Sequence, residues 1–277
     1  MQMSEQIELT SVHNTAIQSA AIRAGHSLTG SEPKIFDDTL ALAISAMDKD
    51  DVIEFVKNMG PSNAATCVVR SRVTEDRLAA AIERGIDQYV ILGAGLDTYA
   101  LRKADQLGSL IVYEIDDPVF QQWKRERIEA VGLKAPAQLR YAPCDFETMS
   151  IAEALAAVGF DADRPAFISW LGVTQYLTLD AIKETLKWAG EQPAGSEIVL
   201  TYSDGGAQTE KLVSEAASRG VALYSHPSAD EVTALLREAG FTQIEQQTRE
   251  QATERYFQNR ADGLIAPDYQ RIAMAIR

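Results

Sequence analysis

The stretch Tyr89-Val90-Ile91-Leu92-Gly93-Ala94-Gly95-Leu96-Asp97-Thr98 decides how this 277-residue chain folds. Four consecutive apolar residues, too few for a helix, run straight into two glycines separated by one residue. That is the pattern of a strand buried on both faces and ending in a tight turn. Glycine suits such a turn because the backbone bends sharply and meets a ligand with no Cβ in the way. The run Leu110-Ile111-Val112-Tyr113-Glu114-Ile115-Asp116 repeats the pattern and stops at Asp117-Pro118. Residues 139–142, 166–170 and 197–202 read as three further strands. Helical patterns over 118–131, 150–158 and 180–189 separate them. Apolar strands alternating with amphipathic helices predict a parallel sheet covered on both faces.

The chain before the first strand reads as helical over 12–28, 38–47, 52–58 and 64–84, with Gly85 as a C-cap. After the fifth strand come a helix at 229–239, a strand at 241–247 and a last strand at 271–276, which suit an antiparallel edge. The expected architecture is a Rossmann-like α/β fold with a mostly parallel sheet and an antiparallel C-terminal edge. It divides into an N-terminal helical lid, 1–85, and a core, 86–277, within one structural domain.

Net charge is −14. So acidic a surface repels phosphate backbones and anionic headgroups, so neither nucleic acid nor membrane is an expected partner. The two cysteines, Cys67 and Cys144, fall in no metal-ligand spacing, and no metal is expected. The polar start Met1-Gln2-Met3-Ser4-Glu5-Gln6 has no signal-peptide character, which favours a cytoplasmic protein.

Gly93 and Gly95 sit at the carboxyl end of the first core strand, where open α/β sheets take their ligands. Asp116 follows Gly95 by 21 positions, close to the interval at which an acid ending the second strand reaches ribose hydroxyls. This pairing points to an adenosine-containing cofactor. Dinucleotide sites usually carry a third glycine near this point; here Thr98 stands there, preceded by Asp97. A carboxylate beside a pyrophosphate is repulsive, whereas one near the ammonium or sulfonium of S-adenosylmethionine is attractive. Asp97 and Thr98 also suit simple capping of the next helix. Tyr99 and Lys103 match by letter the YxxxK pair of short-chain dehydrogenases. They fall directly after the glycine turn, too early to face a nicotinamide.

Four segments resemble the leucine carboxyl methyltransferase-like family of S-adenosylmethionine-dependent methyltransferases: Val69 to Asp76, Val90 to Thr98, Tyr113 to Pro118 and Ser169 to Leu177. The group has many bacterial members, some of the polyketide O-methyltransferase type, and the match runs from about residue 15 to 205. The resemblance implies a class I methyltransferase fold and roles for matching positions. Arg70 would pair with the methionyl carboxylate, a task suited to a bidentate guanidinium. Gly93 and Gly95 would line the cofactor, beside the Asp97 that the charge argument already puts there, and Asp116, with Glu114 as second choice, would take the ribose hydroxyls. Asp145 and Phe146 would hold the adenine. Family members often carry glutamate before the Gly-Val of the fourth motif, where this chain has Leu171.

Methyl transfer to a carboxylate or hydroxyl of a small metabolite is the activity so implied. A carboxylate acceptor needs no general base, while a hydroxyl acceptor normally does. Tyr176, at the sheet's ligand edge, and His26, in the lid, are the substrate-side candidates; His13 reads as a helix-start residue and His226 as a loop residue. An NAD(P)-dependent oxidoreductase shares the GxG-to-acid spacing. A non-catalytic methyltransferase-like binding module is compatible with Leu171 and with the lack of an evident base.

Overall fold

A computed structural model describes residues 9–145, 148–205, 207–218 and 220–277. The chain opens with α1 (Ser11–Thr29), α2 (Ala41–Ser45), α3 (Lys49–Met59) and α4 (Pro61–Glu83). It then alternates: β1 (Gln88–Leu92), α5 (Tyr99–Arg102), β2 (Ile111–Asp116), α6 (Pro118–Ala130), β3 (Leu139–Pro143), α7 (Ile151–Ala157), β4 (Phe167–Trp170), α8 (Leu179–Gly190) and β5 (Glu197–Ser203). The last part holds α9 (Ala207–Ser218), α10 (Ala229–Glu238), β6 (Gln243–Gln247), α11 (Arg249–Ala252) and β7 (Gln270–Ile276). No helix among the described residues is long and apolar enough to cross a membrane.

The seven strands lie in the order β3-β2-β1-β4-β5-β7-β6. The first five are parallel, and β7 pairs antiparallel with both β5 and β6, so the expected fold is the observed one. Every residue of β1, β4 and β5 is buried, which is why those strands read as unbroken apolar runs rather than alternations. Their side chains divide between two cores. Tyr89, Ile91, Phe167 and Val199 face one, with Val68 and Leu78 of α4. Val90, Leu92, Ile168, Trp170 and Leu200 face the other, with Leu155 of α7, Leu186 of α8 and Leu236 of α10. α4, grouped with the lid by position in the chain, therefore covers the sheet, and α1 to α3 form the added helical layer.

α2 and α9 depart most from the sequence expectation. α2 is only five residues long because Asp38 is drawn out of it: its Oδ1 accepts from the amides of Leu40 and Ala41, and its Oδ2 pairs with Arg23. α9 is a helix the sequence reading did not assign. α1 starts as expected of His13. Thr10 Oγ1 accepts from the His13 amide and His13 Nδ1 from the Thr10 amide, a reciprocal cap on the first turn.

Candidate active site

β1 enters its turn between β2 and β4, the strand-order reversal where open sheets form a crevice. Gly93 and Gly95 have φ of +65° and +50°, the left-handed region that a side chain disfavours. A Cβ on Gly93 would lie 2.5 Å from Val173 Cγ2, so the loop after β4 closes directly on the turn. The Gly95 amide donates to Asp116 Oδ2, and the Asp117 amide donates to Oδ1 at 2.8 Å. Burial raises the Asp116 carboxyl above its ordinary range despite these two donors. Each of its oxygens keeps a further lone pair for a ligand hydroxyl. Asp97 Oδ1 accepts from the Tyr99 amide at 2.8 Å, so it caps the turn while lining the same crevice.

Arg70, on α4, is 9% exposed. Its guanidinium lies against Gly172, where a Cβ would sit 2.5 Å from Nη1, and its hydrogen bond runs from Nη2 to Ser19 Oγ at 3.4 Å. The neighbouring carboxylates are committed elsewhere: Glu75 to Arg102, and Asp76 to Arg72 and Arg255. Among the described residues no carboxylate reaches Arg70 within ion-pair distance. A buried cation without a counter-charge is costly, so the geometry calls for an anion from outside the chain.

Around the turn runs a buried ionic network that the sequence did not reveal. Arg23 of α1 donates from Nε to Asp38 Oδ2 at 2.8 Å and from Nη2 to the Leu96 carbonyl at 2.6 Å. Thr98 Oγ1 donates to Asp38 Oδ2 at 2.7 Å and accepts from Arg102 Nε at 2.8 Å, and Arg102 pairs with Glu75. Burial alone would raise the Asp38 carboxyl, but the charges of Arg23 and Arg102 outweigh it and hold the group below its usual value. Thr98 thus replaces the third glycine of dinucleotide sites with a side chain that fastens the turn to the added helical layer.

These groups open on one cavity of about 610 Å³, within the size range of small-ligand sites. The glycine turn, Asp97 and Asp116 line one end, and Arg70 stands beside them against Gly172, just past β4. Gln175, Tyr176, Ser203, His226, Tyr269 and Gln270 line the end above β4 and β5.

The leucine carboxyl methyltransferase family model matches residues 16–190, more than half of the chain. The chain belongs to this family. It is 30% identical to YktD of Bacillus subtilis (strain 168), named as an S-adenosyl-L-methionine-dependent methyltransferase, with 91% of this chain and 93% of YktD aligned. A crystal structure from Thermobifida fusca YX, described as a methyltransferase, covers 92% of this chain and 94% of its own with a TM-score of 0.59. A DUF574-family structure from Streptomyces avermitilis MA-4680 covers 93% and 97% with a TM-score of 0.54. These two are 17% and 14% identical to the chain, and they show the shared fold. The chain is an S-adenosylmethionine-dependent methyltransferase, and the oxidoreductase reading falls with that membership.

Of the expected site residues, the methyltransferase brings Arg70, Gly93, Gly95, Asp97, Asp116 and Tyr176 to one cavity. Glu114 is elsewhere. It is 1% exposed and its Oε2 pairs with Lys124 Nζ at 2.7 Å beneath α6; burial raises its carboxyl to about 7 against the pull of Lys124. Alternation puts Glu114 on the same face of β2 as Asp116, but two residues, about 7 Å, further back from the strand end, so it is buried under α6 short of the crevice. Asp145 lies exposed just past β3, accepts from Thr148 Oγ1 at 3.0 Å, and does not line the cavity as it stands. It is not the N-cap of α7, which is Ser150. Phe146 lies outside the described residues. Tyr99 is buried and Lys103 ends α5, so that pair does not form a site.

His26 does not face an acceptor. Its ring is packed beneath Gly30, and Nε2 accepts from the Ile35 amide at 3.2 Å. Burial, reinforced by the Arg260 charge, lowers its pKa to about 4. The unfolded chain therefore binds this proton first, and folding stability drops as pH falls from about 6.5 towards 4. A loss of about 2 kcal/mol across that interval is expected from urea unfolding, and His26→Gln should abolish that part of the slope. His13, Cys67, Gln175, His226, Tyr269 and Gln270 line the cavity without having been singled out as site residues.

Proposed function

We propose that this methyltransferase acts on an oxygen atom, carboxylate or hydroxyl, of a small metabolite of the secondary-metabolism type. In this reading Arg70 pairs with the methionyl carboxylate, Gly93 and Gly95 let the backbone approach the ligand, and Asp97 faces the ammonium or sulfonium. Asp116 takes the ribose hydroxyls, while Asp145, and Phe146 by the same resemblance, hold the adenine. α1 to α3 serve as a lid on the acceptor. The chemistry S-adenosylmethionine supplies when bound is a methyl group on a positively charged sulfur, open to in-line attack. What remains for the chain is to align the acceptor and exclude water.

The observation that carries the choice of oxygen is the distribution of charge along the cavity. Its lining carboxylates, Asp97, Asp116 and Asp117, all stand at the cofactor turn among the described residues. The end above β4 and β5 is polar but has no carboxylate, among those residues, to hold a protonated amine. Incubation with methyl-¹³C S-adenosylmethionine and an ultrafiltered metabolite extract tests this by NMR. The label should appear on oxygen in the low-mass fraction; label on nitrogen or sulfur, or only on retained protein, would contradict it.

A further inference from the structure

The end of the cavity above β4 and β5 contains polar atoms that the fold leaves without partners. His226 lies in the loop between α9 and α10, and both its ring nitrogens are buried with no hydrogen bond among the described residues. Gln175 Oε1 and Gln270 Oε1 are buried and unpartnered in the same way. The Gln175 amide is oriented by Nε2 donating to the Gly172 carbonyl at 3.0 Å, which turns its oxygen to the other side. The His226 loop is held in place: the Tyr224 amide donates to the Gln175 carbonyl at 2.8 Å, and Ser225 Oγ donates to the Leu177 carbonyl. Folded proteins rarely leave buried acceptors unsatisfied, and three lining one cavity indicate a ligand that brings donors.

The cations argue in the same direction. Of the two arginines lining the cavity, Arg23 is committed to Asp38 and the Leu96 carbonyl, and Arg70 is assigned to the cofactor's carboxylate. An acceptor carboxylate would enter this end without a counter-charge. An acceptor hydroxyl would find a nitrogen ready to take its hydrogen.

We propose that His226 is the general base of the methyl transfer and that the acceptor is a hydroxyl compound, a phenol or alcohol, rather than a carboxylic acid. This rests on the oxygen-acceptor reading above and narrows it. The hydroxyl donates to a His226 ring nitrogen. As the oxygen lone pair forms the bond to the methyl carbon, the carbon–sulfur bond breaks and its electron pair stays on sulfur. The hydroxyl proton passes to the imidazole, leaving a methyl ether, a neutral thioether and an imidazolium that loses its proton to water. The Gln175 and Gln270 oxygens accept from further donors on the acceptor and set its orientation.

Burial lowers the His226 pKa below 6.5, so the ring is neutral and basic at neutral pH. Arg70 and Cys67 of α4, Tyr176 after β4 and Tyr269 before β7 share the cavity with it, and the cause of the shift is burial.

The test measures homocysteine formation from S-adenosylmethionine, with 2-naphthol, catechol and 4-nitrophenol set against 2-naphthoate and benzoate, and against 2-naphthylamine and thiophenol. Methylation of the phenols is expected. With 2-naphthol, kcat/KM should fall as pH drops through the lowered imidazole pKa. His226→Gln should reduce kcat on 2-naphthol about 10²- to 10⁴-fold and remove that acid limb. It should spare 4-nitrophenol at a pH where this phenol arrives ionised, and leave the cofactor Kd within about twofold of wild type. A merely structural histidine would affect both phenols alike. Turnover of the carboxylic acids alone, or of no hydroxyl compound, overturns the proposal while leaving the oxygen-acceptor reading to its own test; turnover of only the amine or thiol overturns both. Should His226→Gln fail to fold, a wild-type kcat/KM on 2-naphthol that stays flat as pH falls below 6.5, to the lowest pH at which the protein remains folded, overturns the base by itself.

Discussion

Replacing Arg70 with methionine is expected to raise the dissociation constant for S-adenosylmethionine about 100-fold, because a bidentate guanidinium–carboxylate contact in a dry site is worth roughly 3 kcal/mol. The same substitution should not destabilise the protein without ligand. Arg70 has no carboxylate partner among the described residues, so methionine keeps the packing of its stem and removes a buried, uncompensated charge. Arg70→Lys retains the charge but not the fork, and an intermediate loss of about tenfold is expected. Calorimetric titration and thermal unfolding of the three proteins separate these effects. A large drop in unfolding temperature for Arg70→Met, with the affinity unchanged, would make Arg70 structural.

Asp38→Ala should have the opposite profile, a loss of stability of about 3–5 kcal/mol, since it leaves two buried guanidiniums without their shared carboxylate. Arg23 and Arg102 cannot reach water without opening the layer formed by α1 and α2. Affinity for the cofactor should also weaken, because Arg23 holds the Leu96 carbonyl of the glycine turn. Thr98→Val removes one hydrogen bond to the same carboxylate and should cost only about 1 kcal/mol. Urea unfolding with unchanged m-values measures both. Near-equal, small losses would show that the network is not cooperative.

The sheet and one end of the site were legible because they rest on local pattern. Buried parallel strands write themselves as unbroken apolar runs, and the turn that follows β1 leaves its glycines in the sequence. Asp116 could be placed by interval alone, since a strand-helix-strand unit has a nearly constant length. The unassigned parts depend on contacts between distant positions. Gln270 reaches the cavity because β7 runs antiparallel and its first residue pairs with Ser203, the last of β5. His226 reaches it because backbone and hydroxyl contacts tie its loop to residues 175–177. Asp38 is joined to Arg23, Thr98 and Arg102 across three separate segments, and no periodicity announces such a cluster. His26 misled for a related reason: a histidine in a lid suggests an acceptor contact, but its Nε2 is spent on the amide of Ile35.

Crystallisation with S-adenosylhomocysteine tests the central claim most directly. The ribose hydroxyls should lie within about 2.6–3.2 Å of the Asp116 carboxylate, and the ligand's carboxylate should meet the Arg70 guanidinium across Gly172. A ligand bound away from the Gly93–Gly95 turn, or one whose carboxylate leaves Arg70 unpaired, would contradict the account.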